Sequence, residues 1–331
     1  MDRFRNAPVA SLAVLLGLLA EGRAGELKLP VACEIGRTCF IQNYVDVDPG
    51  SAATDYMCGT LTYDGHNGID FRLPSRAAQQ ARVHVLAAAD GKVARTRDGI
   101  EDVAIRPEGR DKVSGHECGN GVVIKHSQDL ETQYCHMAKG RLAVKSGDDV
   151  AAGQVLGDVG MSGLTEYPHL HFVVRRAGKV IDPFADGRAP GACNGNAESQ
   201  WHESVRPQLA YSPRTILNFG FTSDSVTTES LESGVTLQRQ PTMDSEAIVA
   251  FVRTIGLKAG DVQTLTLRDP AGKVLAENRP VALERNKAQF VLFSGKKRAK
   301  RDWDRGLYTA TYVVRQDDQS RLEKQFQLEL R

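Results

Sequence analysis

From Leu61 to Asp182 the chain is a succession of short β-rich segments broken by glycine turns, and no long stretch carries a 3.6-residue apolar period. That patterning predicts mainly antiparallel β-structure. "RVHVLAAADGKVART" predicts two strands folded as a hairpin around Asp90-Gly91. "GNGVVIKHSQDLETQYCHM" predicts another, turning near Ser127 to Leu130. Residues 187–213 are rich in Gly, Pro, Asn and Ser and read as a linker. Alternation then returns in "AIVAFVRTIGL", "VQTLTLRDPAGKVLAE", "QFVLFSG", "GLYTATYVVRQ" and "EKQFQLEL", with "DPAG" as a turn. Short strands at that spacing predict an immunoglobulin-like β-sandwich over 214–331. The expected fold class is all-β, in two β-domains, which suits a chain of 331 residues.

The first residues read differently. Arg3 and Arg5 precede an apolar run from Val9 to Ala20, and Gly22 and Ala24 follow in a small-x-small pattern. This is the layout of a signal peptide over 1–24. The apolar run is about 12 residues, too short for the roughly 20 that a bilayer requires. The expected location is periplasmic or secreted, an oxidising setting in which cysteines pair. All six cysteines, Cys33, Cys39, Cys58, Cys118, Cys135 and Cys193, fall in the first two-thirds of the chain. Their pairing is open, with Cys33–Cys39 closing the shortest loop. No CxxC spacing supports a thiolate zinc site. The formal net charge of +1 gives no overall attraction to nucleic acid, and none is expected as a partner.

Two histidines, His169 and His171, open an apolar run in "TEYPHLHFVV". In a strand, residues two apart share a face, so both imidazoles point one way while Leu170 points to the other. In "YDGHNGIDF", His66 and Asp70 are four apart, again on one face of an extended segment, with Gly65 and Gly68 freeing the backbone. His136 follows in "QYCHM". Each signal alone is modest. Together they offer the N/O donors of a catalytic metal, with imidazoles to spare. His84 and His126 read as structural or as supports of the ligands, His116 and His202 as loop residues, and Tyr63 as a packed strand tyrosine or as a phenolic hydroxyl added to the site.

"HNGID", "YCHM" and "PHLHF", in that order, with "GQVLGDVGMSG" before the last and "IDP" after it, resemble the lysostaphin/LytM-type zinc metallopeptidases, peptidase family M23. The resemblance covers roughly residues 61–185. It implies an antiparallel LytM-type catalytic domain over 61–186, with His66, Asp70 and His171 as zinc ligands and His136 and His169 as catalytic histidines. It implies hydrolysis of peptide cross-links of peptidoglycan, with the peptide stems as partners. Export adds a Gram-negative periplasm and the D-Ala–meso-diaminopimelate bond, with cleavage of Gly-Gly bonds as the alternative within the same class. The chain departs from the family's usual small residues at Glu166 and Tyr167, which bears on substrate detail. A second reading stands beside this one: a non-catalytic wall-binding regulator that activates an amidase.

Residues 25–60 either brace the β-core through disulfides or lie across the cleft, with Asn43, Asp46 or Asp48 reaching the metal. In the C-terminal domain the basic run at 296–301 reads as a solvated loop or as a contact to an anionic wall polymer or membrane.

Overall fold

The computed structural model describes residues 27–331 apart from 106, 128, 190, 194–196, 300 and 301. The expected signal peptide and the tip of the basic loop, Lys300 and Arg301, therefore lie outside the described residues.

The first β-body contains β1 (Phe40–Asn43), β2 (Ile69–Arg72), β3 (His84–Leu86), β4 (Gly91–Arg97), β5 (Asn120–Lys125), β6 (Leu130–Met137), β7 (Asp149–Val150), β8 (Val155–Asp158), β9 (His169–Arg176) and β10 (Lys179–Ile181). One antiparallel sheet runs β1-β2-β9-β6-β5-β4-β7, with β10 on the end of β9, and β3 pairs with β8 in a small separate sheet. β9 is central because "HLHFVVRR" can be buried on both sides. Leu170, Phe172 and Val174 pack into the core with Phe71, Tyr134 and Ile124, while His169 and His171 face the other way. The β5–β6 hairpin forms as expected. The hairpin at Asp90-Gly91 does not: β3 pairs with β8, and β4 pairs with β5 and β7. Asp90 is committed elsewhere. Its carboxylate accepts from the Ala152 N–H and its carbonyl from His126 Nδ1, both at 2.7 Å. The turn therefore carries the chain from one sheet to the other.

Three disulfides join Cys33–Cys39, Cys58–Cys193 and Cys118–Cys135. Residues 187–213 are packed: Trp201, Val205 and Leu209 belong to the same core as β2 and β9. Nearby, Tyr44, Tyr56, Phe184 and Tyr211 form an aromatic cluster. Asp182 is buried at its edge, and its Oδ2 has no hydrogen-bond partner. Burial pushes its carboxyl up to about 7, against the opposing pull of the Phe184 N–H and Arg188.

The second body contains β11 (Thr215–Thr222), β12 (Ala247–Leu257), β13 (Val262–Arg268), β14 (Val274–Asn278), β15 (Lys287–Lys297), β16 (Gly306–Gln316) and β17 (Gln319–Leu330). Two antiparallel sheets, β11-β12-β15 and β14-β13-β16-β17, share one core, to which Ile248, Ala250 and Val252 contribute from one side and Leu265, Tyr308, Ala310 and Tyr312 from the other. The result is a β-sandwich. Its fourth strand lies beside the third, whereas in a constant-type immunoglobulin domain it lies beside the fifth.

Two short helices, α1 (Arg76–Gln80) and α2 (Thr228–Ser233), meet where the bodies join. A buried ionic knot sits under them. Arg72 on β2 donates to Gln42 Oε1 at 2.7 Å and to Gln289 Oε1 at 2.8 Å, and pairs with Glu232 on α2. Arg253 on β12 pairs with the same carboxylate and donates to Asn218 Oδ1 and the Pro74 carbonyl. Burial and the neighbouring Arg72 charge bring the Arg253 guanidinium down to about 10. One carboxylate thus compensates two buried cations.

Replacing Glu232→Ala leaves both guanidiniums without their counter-charge. It is expected to lower the unfolding free energy by about 3–5 kcal/mol in chemical denaturation. Asp182 makes a pH-dependent prediction. Its folded pKa lies above its unfolded value, so the unfolded chain releases the proton first and this residue's contribution declines as pH rises from about 4 to 7. Asp182→Asn should therefore gain stability relative to wild type at pH 8, by at most about 4 kcal/mol, and show no such gain at pH 4. Melting curves at the two pH values check this.

Candidate metal centre

The site is assembled by a strand register. β2 pairs with β9 so that Asp70 lies opposite His171 and Arg72 opposite His169. β6 pairs with β9 so that Cys135 lies opposite His171. Three segments far apart in sequence therefore present side chains on one face.

His66 precedes β2 and directly follows the turn at Gly65, whose φ of +74° suits glycine. Gly68 is needed for space: a Cβ there would sit 2.7 Å from His171 Cε1 and 2.8 Å from the Phe172 carbonyl oxygen. His66 Nδ1 donates to the Tyr44 carbonyl at 2.7 Å. A carbonyl only accepts, so Nδ1 carries the proton and in the neutral ring His66 Nε2 carries the electron pair; against the effect of burial, the Asp70 charge raises this imidazole above the usual histidine range. It lies 3.2 Å from Asp70 Oδ2 and 3.2 Å from His171 Nδ1. His171 donates from Nε2 to Asn67 Oδ1 at 3.0 Å, as the hydrogen-bond network assigns it, leaving Nδ1 bare, 2.8 Å from Asp70 Oδ1.

Three electron-pair donors therefore face one another in a buried place, an arrangement that a cation between them relieves. Ligands about 2.0–2.1 Å from a tetrahedral zinc lie about 3.3 Å apart, and His66 Nε2 stands near that distance, 3.2 Å, from both Asp70 Oδ2 and His171 Nδ1. These three residues form a group whose ligand atoms lie within 4.8 Å of one another. The donor set fits a divalent metal, and the outer partners, Tyr44 and Asn67, fix the ring orientations.

Two further imidazoles stand beside the trio. His136 Nδ1 donates to the Ser162 carbonyl at 2.8 Å, and His169 Nδ1 donates to the Tyr167 carbonyl at 3.0 Å. Both present a bare Nε2, and their ring centroids are 4.5 Å apart. Burial first, then the charges of His169 and His171, hold His136 well below the usual histidine range, so it is neutral at pH 7. Burial works against the Asp70 charge, but the neighbouring His66 and His169 imidazoles prevail and hold its carboxyl well below the usual carboxylate range. Asp70 Oδ2 also accepts from Asn43 Nδ2 at 2.8 Å, so the N-terminal segment reaches the site through Asp70.

A cleft of about 390 Å³ opens over these groups, with Tyr63, Arg110, Glu166 and Arg175 on its walls. All five residues singled out from the sequence meet here. Tyr63 differs from expectation. It lies in a loop, 54% exposed, its ring 4.5 Å from that of His66. His84, His126, His116 and His202 lie outside the cleft, and their ring nitrogens bond Asp158, the Asp90 carbonyl, the Ser114 carbonyl and Ser204. Sequence reasoning did not reach the outer partners. Asn67 was signalled by its place inside "HNGID". Tyr44 and Ser162 act through main-chain carbonyls, which leave no mark in a sequence.

Residues 64–183 match the family model for peptidase family M23. This segment is a peptidase family M23 domain. The chain is 32% identical over 117 residues to peptidoglycan DD-endopeptidase ShyA of Vibrio cholerae, covering 35% of this chain and 22% of that protein. It is 33% identical over 133 residues to the lipoprotein NlpD/LppB homolog of Pseudomonas aeruginosa, covering 40% of this chain and 37% of that one. The chain thus spans well under half the length of these curated relatives. Among solved structures it is similar to the catalytic domain of the M23 protein EnpA from Enterococcus faecalis, with 25% identity, a TM-score of 0.34, and coverage of 50% of this chain and 99% of that one.

Asn67→Ala removes the acceptor that orients His171. It is expected to weaken zinc affinity about 10–100-fold, read by chelator competition, with the fold retained by circular dichroism.

Proposed function

We propose that the protein is an exported, zinc-dependent peptidoglycan endopeptidase that hydrolyses peptide cross-links of the cell wall, at the D-Ala–meso-diaminopimelate bond. The observation that carries this reading is the convergence of three bare donor atoms, on His66, Asp70 and His171, beside two further imidazoles whose free nitrogens face the same cleft. The names of relatives such as the DD-endopeptidase of Vibrio cholerae support the substrate. Three disulfides support export, and among the described residues no helix is long and apolar enough to cross a membrane.

In this reading His66, Asp70 and His171 hold zinc, which when bound polarises the scissile carbonyl and lowers the pKa of water to about 7. The chain's own residues handle the proton. The free Nε2 of His136 or His169 accepts it from the attacking water. The imidazolium so formed is a donor placed to protonate the leaving amine. Their Nδ1–H bonds to the Ser162 and Tyr167 carbonyls keep both rings aimed at the cleft throughout.

A second reading is favoured by the likeness to the NlpD/LppB homolog: a wall-binding regulator of an amidase. Purified sacculi separate the two. The endopeptidase contains about one zinc per chain by elemental analysis and releases uncross-linked muropeptides unaided. His66→Ala should lose both zinc and release. His136→Ala should keep zinc and lose about 10²–10⁴-fold in rate. Release only when an amidase is added would instead establish the regulator.

A further inference from the structure

A second cavity, of about 620 Å³, lies between the two β-bodies and adjoins the catalytic cleft: Tyr63, Glu166 and Tyr167 line both. Tyr167 stands between them. The Arg72 guanidinium lies 3.9 Å from its ring centroid, and Arg72 is itself fixed by Glu232 and Gln289 of the second body. The wall between the cavities is thus held by the β-sandwich.

The charges around the cavity are mostly matched. Arg72 pairs with Glu232 and Arg76 with Glu229. Two are left. Lys287 and Gln289 are two apart on β15 and share a face, and Gln289 points into the join, where it accepts from Arg72. Lys287 therefore lies on the strand face turned to the same cavity, which it lines. Glu166 is exposed on the facing loop and lines both cavities. Among the described residues neither Lys287 nor Glu166 has an ion-pair partner. One free cation and one free anion thus border a single cavity that adjoins the cleft over the metal-ligand trio. Glu166 and Tyr167 are also the positions at which this chain departs from its family's small residues.

We propose that this interdomain cavity is a second substrate subsite that takes a zwitterionic amino-acid unit, its carboxylate on Lys287 and its ammonium on Glu166. The inference rests on the reading of the protein as a cell-wall peptidase, in whose substrate such a unit is a diaminopimelate with free amino and carboxyl groups. Charge-assisted hydrogen bonds discriminate by the loss incurred when the partner is absent.

The test uses the full zinc-loaded chain and two uncross-linked stem peptides, one with the diaminopimelate carboxylate free and one with it amidated. Binding is measured by calorimetry. The free peptide should bind roughly tenfold tighter than the amidated one. Lys287→Ala should abolish that preference, and Lys287→Arg should keep it, with melting temperature and zinc content unchanged in both. Glu166→Gln should likewise abolish a preference for the free amine over its acetylated form. If Lys287→Ala retains the full preference, or wild type shows none, the subsite is refuted even where the protein cleaves cross-linked muropeptides. If the preference is present and depends on Lys287 but no cross-link is ever cut, the subsite stands and the endopeptidase reading fails.

Discussion

The site depends on the antiparallel register of β2 against β9. Asp70 and His171 are 101 residues apart in sequence and meet because they are paired across two strands. A slip of one residue would send Asp70 to the core face, where Phe71 now packs, and expose the aromatic side chain in the cleft. The register is held from the apolar side. Phe71, Leu170 and Phe172 are fully buried, so any slipped pairing loses their packing. Polar chemistry on one face is thus fixed by hydrophobic burial on the other, and the donor atoms need no attraction of their own to assemble. Their mutual repulsion when no cation lies between them is sustained by the sheet.

The same strand ties the site to the second body. Arg72 lies two residues beyond Asp70, on the same face, and its guanidinium is held by Glu232 and Gln289 while its plane lies against Tyr167. Burying Arg72 and Arg253 around one carboxylate is not an efficient way to gain stability, since desolvation offsets most of the attraction. What the arrangement provides is orientation: a guanidinium with three fixed partners has one position, and so does the ring beneath it. The β-sandwich is in this sense part of the cleft wall.

Much of this was legible in the sequence where one signal decides the outcome. "AIVAFVRTIGL" and "GLYTATYVVRQ" coincide with β12 and β16, because long runs rich in β-branched and aromatic residues form strands, β16 burying alternate residues and β12 burying both faces over most of its length. The HxH pair was legible because strand alternation alone puts both rings on one side. The Asp90-Gly91 hairpin was misread because turn chemistry reports a change of direction and says nothing of which strand is met next. β3 found β8, more than 60 residues on, and no local pattern encodes that. β11 and α2 escaped notice for a related reason. Their sequences, "TILNFGFT" and "TESLES", carry weak periodicity, and their places are set by Asn218 and Glu232 reaching partners in the other half of the chain.

His136 is the clearest case of a candidate site position that alternation would have assigned wrongly. Cys135 lies opposite His171 and shares its face, so in a regular strand His136 would turn to the core beside Tyr134. It reaches the cleft because β6 breaks register against β5 at this point, with His136 in the left-handed region at φ +61°. That conformation costs a non-glycine residue roughly 1–3 kcal/mol, and the surroundings impose it. The His136 N–H donates to the Cys118 carbonyl at 2.7 Å, its carbonyl accepts from Gly160 at 2.9 Å, and the Cys118–Cys135 disulfide ties the two segments together one residue away. The disulfide and the bulge thus form one device. The covalent link anchors the loop whose carbonyl pulls the backbone out of the strand, and the departure from the strand aims a buried, neutral imidazole at the cleft.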